Sequence, residues 1–183
     1  TLFIWGAQAE DLSYATSYIP TNGSTVTRNA DVCNNSGSSD LINSTEGVLY
    51  CEIAALADDG TNRAISLSDG TTTNQIVLRY YGASNSIDTF VRVGLSFNAT
   101  LSSSLSVTDF NKIALKYKEN DFALWINGTE VATDSSGATY PANTLSELSF
   151  DRGDAQDDFY AKVKSVAVFK EALTDEELQK LTS

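Results

Sequence analysis

Histidine is absent from the 183-residue chain, and this absence narrows the chemistry that the protein can perform. Histidine is the most common general base in enzymes and the most common protein ligand of zinc. A histidine-based active site is therefore excluded, and a zinc centre would have to form without its most common ligand. Catalysis by a pair of carboxyl groups is not excluded by this absence.

Cysteine is nearly as scarce, since the chain has only Cys33 and Cys51. Two cysteines do not make a disulfide-rich scaffold, although these two could form one bridge. Cys51 lies in an alternating segment that turns Leu49, Cys51 and Ile53 to one face. Free cysteine is among the most buried residue types, so the pattern favours a buried thiol over a Cys33–Cys51 disulfide.

Long apolar runs and basic residues are also in short supply. No segment approaches the roughly 20 apolar residues that cross a bilayer, so we expect no membrane insertion. The chain has 12 lysines and arginines against 24 acidic residues, a net charge of −12. An acidic surface repels nucleic-acid phosphates and anionic lipids, and neither is an expected partner. The 42% of hydrophobic residues is enough for a large core.

Residues 1–31 differ in character from the rest of the chain. The aromatic run at residues 2–5 is typical of a strand, and Pro20 with the Asn22-Gly23 pair marks a turn or linker. A lone strand does not fold by itself. We predict that residues 1–31 are the terminal strand of a preceding domain plus a linker, or else a strand that pairs onto the main sheet. A start at Thr1 without a signal region is expected of a piece of a longer protein.

Residues 32–183 are predicted to form one all-β domain. Short segments rich in β-forming residues recur roughly every 10–15 residues, with turn signals such as Asp69-Gly70 and Asn127-Gly128 between them. The predicted strands are Gly47–Ala54, Ala64–Ser68, Gln75–Tyr81, Ile87–Phe97, Asn111–Tyr117, Phe122–Ile126, Glu130–Ala132, Leu145–Phe150 and Val163–Phe169. No long helical periodicity interrupts them, which indicates a sandwich or barrel and argues against a parallel α/β fold.

One helix is predicted at the end of the chain. Thr174 with Glu177 three residues later has the pattern of a capping box, in which each side chain satisfies a backbone amide of the other residue. Leu178 and Leu181 share one face of the helix that follows. This short helix is therefore expected to lie against the sandwich.

Two stretches resemble the C-terminal half of laminin-G-like jelly rolls, which have the concanavalin A-like architecture. The first is Ile-Ala-Leu-Lys-Tyr at 113–117 with Phe-Ala-Leu-Trp-Ile-Asn-Gly-Thr-Glu-Val at 122–131. The second is Phe159–Phe169 followed by Ala-Leu-Thr-Asp-Glu-Glu at 172–177, with Lys164 where the family often has aspartate. The resemblance implies a two-sheet antiparallel jelly-roll sandwich with one short C-terminal helix.

Three segments of the N-terminal part are similar to a junction found in phage tail-fibre and other virion-associated proteins. They are Trp5–Gln8, Ser13–Thr21 and Thr27–Asp31. The resemblance implies an extracellular or virion-surface adhesin whose partner is a cell-surface glycan or polysaccharide, and a homotrimer, because fibre proteins are commonly trimeric. Two alternatives stay open: a structural spacer or oligomerisation domain of such a fibre, and an accessory module of a polysaccharide-degrading enzyme.

Sugar-binding sites usually combine aromatic rings with planar hydrogen-bonding groups, because sugar C–H faces stack on π-faces while hydroxyls need partners. Alternation in Phe122–Ile126 turns Trp125 away from the core. An outward tryptophan is either an exposed binding surface or packs against a strand, a helix or a symmetry partner. The candidate ligand-binding residues are Tyr80, Tyr81, Trp125 and Tyr140.

An acidic loop after the predicted strand Leu145–Phe150 is the candidate metal site. Calcium takes six to eight oxygen ligands, and carboxylates supply them most often, so a Ca²⁺ ion is the candidate cofactor. The candidate ligands are Asp154, Asp157 and Asp158, with Asp58, Asp59 and Asp69 as a second group. The irregular spacing of these residues favours the other interpretation, a solvated acidic loop without a metal.

Catalysis is not expected. Glycoside hydrolases with this architecture align carboxylates along one strand as Glu-x-Asp-x-x-Glu, and the chain has no such triplet. Polysaccharide lyases of this architecture generally use a histidine, and the chain has none. The acid and base partners of both reaction types are missing, which predicts a non-catalytic module.

Overall fold

The structure, a computed structural model of the chain, describes Gly6, residues 18–27 and residues 37–183. The chain divides into two units, Thr1–Val32 and Cys33–Ser183. Cys33, the strand predicted at residues 2–5 and much of the predicted linker lie outside the described residues. Within the described part, no helix has the length and hydropathy that spanning a membrane requires.

The described residues of the second unit form ten strands and one helix. In chain order they are β1 (Glu46–Ala55), β2 (Arg63–Ser68), β3 (Gln75–Tyr80), β4 (Ser86–Val93), β5 (Ser96–Ser104), β6 (Asn111–Lys118), β7 (Phe122–Ile126), β8 (Thr129–Asp134), β9 (Glu147–Ser149), β10 (Ala161–Phe169) and α1 (Asp175–Thr182). The first sheet has the order β10-β1-β6-β7-β8 and the second sheet β5-β4-β3-β2-β9. All neighbouring strands pair antiparallel. The predicted two-sheet jelly-roll sandwich with a short C-terminal helix is confirmed.

The core lies between the two sheets and follows the two-residue period of the strands. Leu49 and Cys51 of β1 pair with Leu115 and Ile113 of β6, and all four side chains are buried. Cys51 is a free thiol, as its alternating segment predicts. Removal from water disfavours the thiolate, so burial raises the pKa of Cys51.

The prediction of a single strand over Ile87–Phe97 is wrong, because a hairpin interrupts this segment. Gly94 and Leu95 separate β4 from β5 and have φ values of 58° and 71°. Glycine adopts this left-handed region freely, whereas leucine rarely does. Two hydrogen bonds hold the tip in place, from the Gly94 amide to the Asn74 side chain and from the Leu95 amide to the Thr73 carbonyl, both at 3.0 Å.

Helix α1 begins at the predicted capping box and covers part of the first sheet. The Thr174 amide donates to Glu177 Oε2 at 2.9 Å, and Thr174 Oγ1 accepts from the Glu177 amide at 3.4 Å. Leu178 is buried in a second apolar cluster, where it packs with Trp125 and Tyr50 on the side of the sheet away from the main core. The helix therefore occupies the outward face of β6 and β7, as its apolar stripe predicts.

Candidate functional site

The outward face of the second sheet carries guanidinium groups and aromatic rings side by side. The register of β3 and β4 places Arg79 beside Asp88 on this face. Their neighbours along the two strands, Leu78, Tyr80 and Ile87, point into the core. In β5, Phe97 pairs with Arg92 of β4. We refer to five of these residues as the arginine–aromatic face: Arg79, Tyr81, Phe90, Arg92 and Phe97.

Arg79 is fixed from two directions. Its Nε and Nη2 donate to Asp88 Oδ1 at 2.7 Å and to Oδ2 at 3.0 Å, which is the bidentate geometry of a strong ion pair. Its Cζ lies 3.8 Å from the centre of the Tyr81 ring and 5.1 Å from that of Phe90. The guanidinium thereby orients Tyr81, whose side chain is 46% exposed.

Arg92 has a different set of neighbours. Its Cζ lies 4.9 Å from the centre of the Phe97 ring, and Phe97 also meets Phe90 edge-on with ring centres 5.2 Å apart. Phe97 is 61% exposed. The Arg92 Nη1 donates to the Thr72 carbonyl at 3.1 Å. No carboxylate in the described part of the chain lies within ion-pair distance of Arg92.

The loop between β9 and β10 lies against the same sheet. Gln75 Nε2 donates to the Arg152 carbonyl at 2.7 Å, and the Ala64 amide donates to the Asp157 carbonyl at 2.8 Å. The Asp157 carboxylate is 3.9 Å from Arg79 Nη1. Ion pairs and backbone hydrogen bonds thus fasten this loop beside the arginine–aromatic face.

The acidic residues of that loop do not fit a calcium ion in this arrangement. Arg152 pairs with Asp154 at 2.6 Å and lies 3.7 Å from Asp157, while Asp158 is exposed. Across residues 37–183 and the other described positions, no three acidic side chains converge as a cation site requires. Calcium at this loop stays a prediction from the sequence, and binding would require Arg152 to release its carboxylates.

The second acidic group is not brought together. Asp58 and Asp59 precede β2 and Asp69 follows it, so the strand separates them by about 20 Å. Hydrogen bonds from Arg63 hold the pKa of the Asp59 carboxyl well below its usual range. Asp69 accepts hydrogen bonds from the next turn, including one from the Thr71 amide at 2.9 Å. These carboxylates serve loop structure.

Two of the four predicted aromatic residues belong to the interior. Tyr80 and Tyr140 are each 3% exposed. Their hydroxyls donate to backbone carbonyls, Tyr80 to Ile53 at 3.3 Å and Tyr140 to Gln75 at 2.7 Å. The expectation that their rings form an exposed platform is corrected, because β3 turns Tyr80 inward and Tyr140 packs into the core.

Trp125 also offers no exposed ring. It does point away from the main core, as the alternation of β7 predicts, but helix α1 covers it and leaves 6% exposed. The alternative of packing against a helix is therefore the one observed, and the platform interpretation of Trp125 is corrected. Of the four residues, Tyr81 is the one that keeps an exposed ring on the face described above.

Sequence reasoning missed Arg79, Phe90, Arg92 and Phe97. A signal was available for the first three, because residues two apart in a strand share a face. Arg79 and Tyr81 are two apart, and so are Phe90 and Arg92. Phe97 joins them only through the β4–β5 hairpin, where the sequence pattern predicts one continuous strand.

The comparisons with known proteins agree with the fold. Residues 49–179 match the family described as the concanavalin A-like lectin/glucanases superfamily. No curated protein sequence matches the chain significantly.

Several solved structures are similar. The sialidase CBM40 domain of Ruminococcus gnavus bound to α2,6-sialyllactose has a TM-score of 0.63 at 17% identity, over 84% of this chain and 96% of that one. Domain 4 of an extracellular arabinanase from Geobacillus stearothermophilus, in complex with arabinotriose, has a TM-score of 0.61 at 9% identity, over 80% and 70%. A pentraxin from Limulus polyphemus has a TM-score of 0.61 at 13% identity, over 82% and 74%. At these identities the likeness concerns the fold alone.

Proposed function

Because the chain belongs to the concanavalin A-like lectin/glucanases superfamily, we propose that its jelly roll is a non-catalytic carbohydrate-binding module. The observation that carries the proposal is the pair of exposed rings, Tyr81 and Phe97, set among guanidinium groups on an outward sheet face. Sugar C–H faces stack on such rings, while hydroxyl and carboxylate groups accept hydrogen bonds from guanidinium. The arginine–aromatic face supplies both kinds of contact.

The similar structures support an oligosaccharide as the ligand. One of them holds sialyllactose and another holds arabinotriose, on domains with the same fold.

The carboxylates beside the arginine–aromatic face support a role without catalysis. Asp88, Asp154 and Asp157 all lie within ion-pair distance of arginine, so guanidinium groups already occupy the oxygens that a general acid or base would present to a substrate.

The wider setting that we propose is an extracellular protein that recognises a host-surface glycan, such as a phage tail fibre. Its support is the resemblance of the segments at residues 5–8, 13–21 and 27–31 to a virion-protein junction. A homotrimer stays a prediction from the same resemblance.

A second candidate is an accessory module of a polysaccharide-degrading enzyme. The observation that favours it is that similar domains come from a sialidase and an arabinanase. The domains that accompany this one in the full-length protein distinguish the two settings. A catalytic domain on the same polypeptide favours the accessory module, and a fibre domain favours the adhesin.

The binding proposal is tested on a glycan array, with dissociation constants then measured for the glycans that bind. Tyr81→Ala and Phe97→Ala should each weaken binding about five- to ten-fold, because an aromatic stacking contact contributes about 1 kcal/mol.

Phe110→Ala is the matched control. Phe110 is also an exposed phenylalanine beside a cation, with Lys164 Nζ 4.2 Å from its ring centre, but Lys164 belongs to the first sheet. This variant should bind as the unmodified chain does. If no glycan binds at millimolar concentration, the structural-spacer alternative is supported instead.

A further inference from the structure

We propose that Arg92 and Phe97 form a subsite for the carboxylate of an acidic sugar, so that the domain prefers carboxylated glycans to their neutral counterparts. This inference rests on the proposed carbohydrate-binding function and adds the class of sugar to it.

Arg92 differs from the other described arginines in having no carboxylate partner. Each of the others grips a carboxylate with two nitrogens, in the pairs Arg63–Asp59, Arg79–Asp88 and Arg152–Asp154. The chain has twice as many acidic as basic residues, so an arginine without an acidic partner is unexpected on statistical grounds. The positive charge of Arg92 is therefore available to a ligand.

The guanidinium of Arg92 is also incompletely satisfied. Its Nε is buried and has no hydrogen-bond partner, and the contact of Nη1 with the Thr72 carbonyl is the one hydrogen bond of the side chain among the described residues. A charged donor that is partly removed from water gains more from a ligand carboxylate than a fully hydrated one does. Carboxylates also match the planar guanidinium in geometry.

Phe97 supplies the other half of the subsite. Arg92 Cζ lies over its exposed ring, 4.9 Å from the ring centre, so the guanidinium and the aromatic surface adjoin. A sugar that packs against the uncovered part of the Phe97 ring can therefore direct a carboxylate on its edge towards the guanidinium. Leu95, exposed at the hairpin tip next to Phe97, adds an apolar rim.

The overall charge of the chain makes a local contact necessary. With a net charge of −12, the protein as a whole repels an acidic glycan. A preference for acidic sugars must then come from one unneutralised cation at the contact, and a single substitution should remove it.

The test uses ligand pairs that differ only in whether their carboxylates are free or esterified. Trigalacturonate is compared with its fully methyl-esterified form, and sialyllactose with its methyl ester, on the full chain by titration calorimetry. The acidic member of a pair should bind at least about ten-fold more tightly, the difference expected for about 1.4 kcal/mol from one charge-assisted contact. The pair that shows this preference identifies the source of the carboxylate, a uronic acid or a sialic acid.

Arg92→Gln should remove the difference in affinity between the two members of a pair, because the acidic member loses more affinity than the neutral one, and Arg92→Lys should keep part of that difference. Lys164→Gln, which removes the same charge on the first sheet, is the control and should change nothing. Equal binding of acidic and neutral members overturns the inference but leaves carbohydrate binding standing. A preference that survives Arg92→Gln overturns the assignment to Arg92.

Failure of all four probes to bind the unmodified chain counts against the inference and the proposed function together. If Arg92→Gln does not fold, the comparison of trigalacturonate with its methyl ester on the unmodified chain still decides whether a carboxylate is recognised.

Discussion

The ion pair between Arg79 and Asp88 is expected to hold the second sheet and its neighbouring loop together, and Arg79→Gln tests this. The substitution removes the positive charge that Asp88 contacts at 2.7 Å and that Asp157 approaches at 3.9 Å. It also removes the group that stacks on Tyr81. Asp88 would then stay in place without its arginine partner, whereas Asp157 would keep Arg152 at 3.7 Å.

The burial of the pair sets the expected magnitude. Removing one partner of a buried pair costs about 3–5 kcal/mol, whereas an exposed pair contributes about 0–1 kcal/mol. The side chains of Arg79 and Asp88 are 13% and 16% exposed, close to the buried limit but with an edge in water. We therefore expect a loss of about 2–4 kcal/mol, which corresponds to a decrease of about 4–16 °C in the melting temperature.

Urea unfolding followed by fluorescence measures this loss as a shift of the midpoint at constant slope. Asp88→Asn and the double variant complete a thermodynamic cycle. The double variant should be more stable than the sum of the two single losses predicts, because it leaves no unpaired charge at position 88. A loss below about 1 kcal/mol in Arg79→Gln, or strict additivity in the cycle, would refute the reasoning.

Three other properties can be checked directly. Burial raises the pKa of Tyr140, so above about pH 10 the unfolded state loses the phenolic proton while the folded state keeps it. The free energy of unfolding should therefore be independent of this group below about pH 10 and decrease above it. Tyr140→Phe should make that decrease smaller. The buried Cys51 thiol should react with a disulfide reagent only in urea, as measured in a Cys33→Ser background; rapid labelling of the folded chain contradicts its burial. Calcium should raise the melting temperature of Arg152→Gln more than that of the unmodified chain, because Arg152 competes for Asp154; equal shifts would contradict this competition.

Most strands could be predicted because the alternation of apolar and polar residues along each strand indicates which of its faces is buried. In β6, for example, Ile113 and Leu115 alternate with the polar Lys112 and Lys116, and this pattern needs no distant contact to be recognised. The β4–β5 hairpin escaped prediction because its turn contains Leu95, which is not a turn residue by composition. The left-handed conformation of Leu95 depends on hydrogen bonding to a loop some twenty residues earlier in the chain.

The candidate site was harder to predict than the fold. The alternation of β7 correctly predicts that Trp125 points away from the main core, but nothing in β7 itself indicates that α1 covers this side chain. Tyr81 was identified among four aromatic residues, yet whether a ring is exposed depends on which element packs over it. The arginines were overlooked because a solvated surface charge and an oriented guanidinium have the same appearance in one strand.

The sequence by itself determined the class of fold and the absence of histidine from any site in this chain. Alternating apolar residues, turn pairs and the lack of histidine are properties of the sequence that do not depend on what the chain packs against. The tertiary structure alone decided which polar and aromatic side chains meet. Arg79 reaches Asp88, and Arg92 reaches Phe97, through the register of neighbouring strands. That register is set jointly by burial on the other face of the sheet and by the turns, and a shift of one residue would send every one of these side chains into the core.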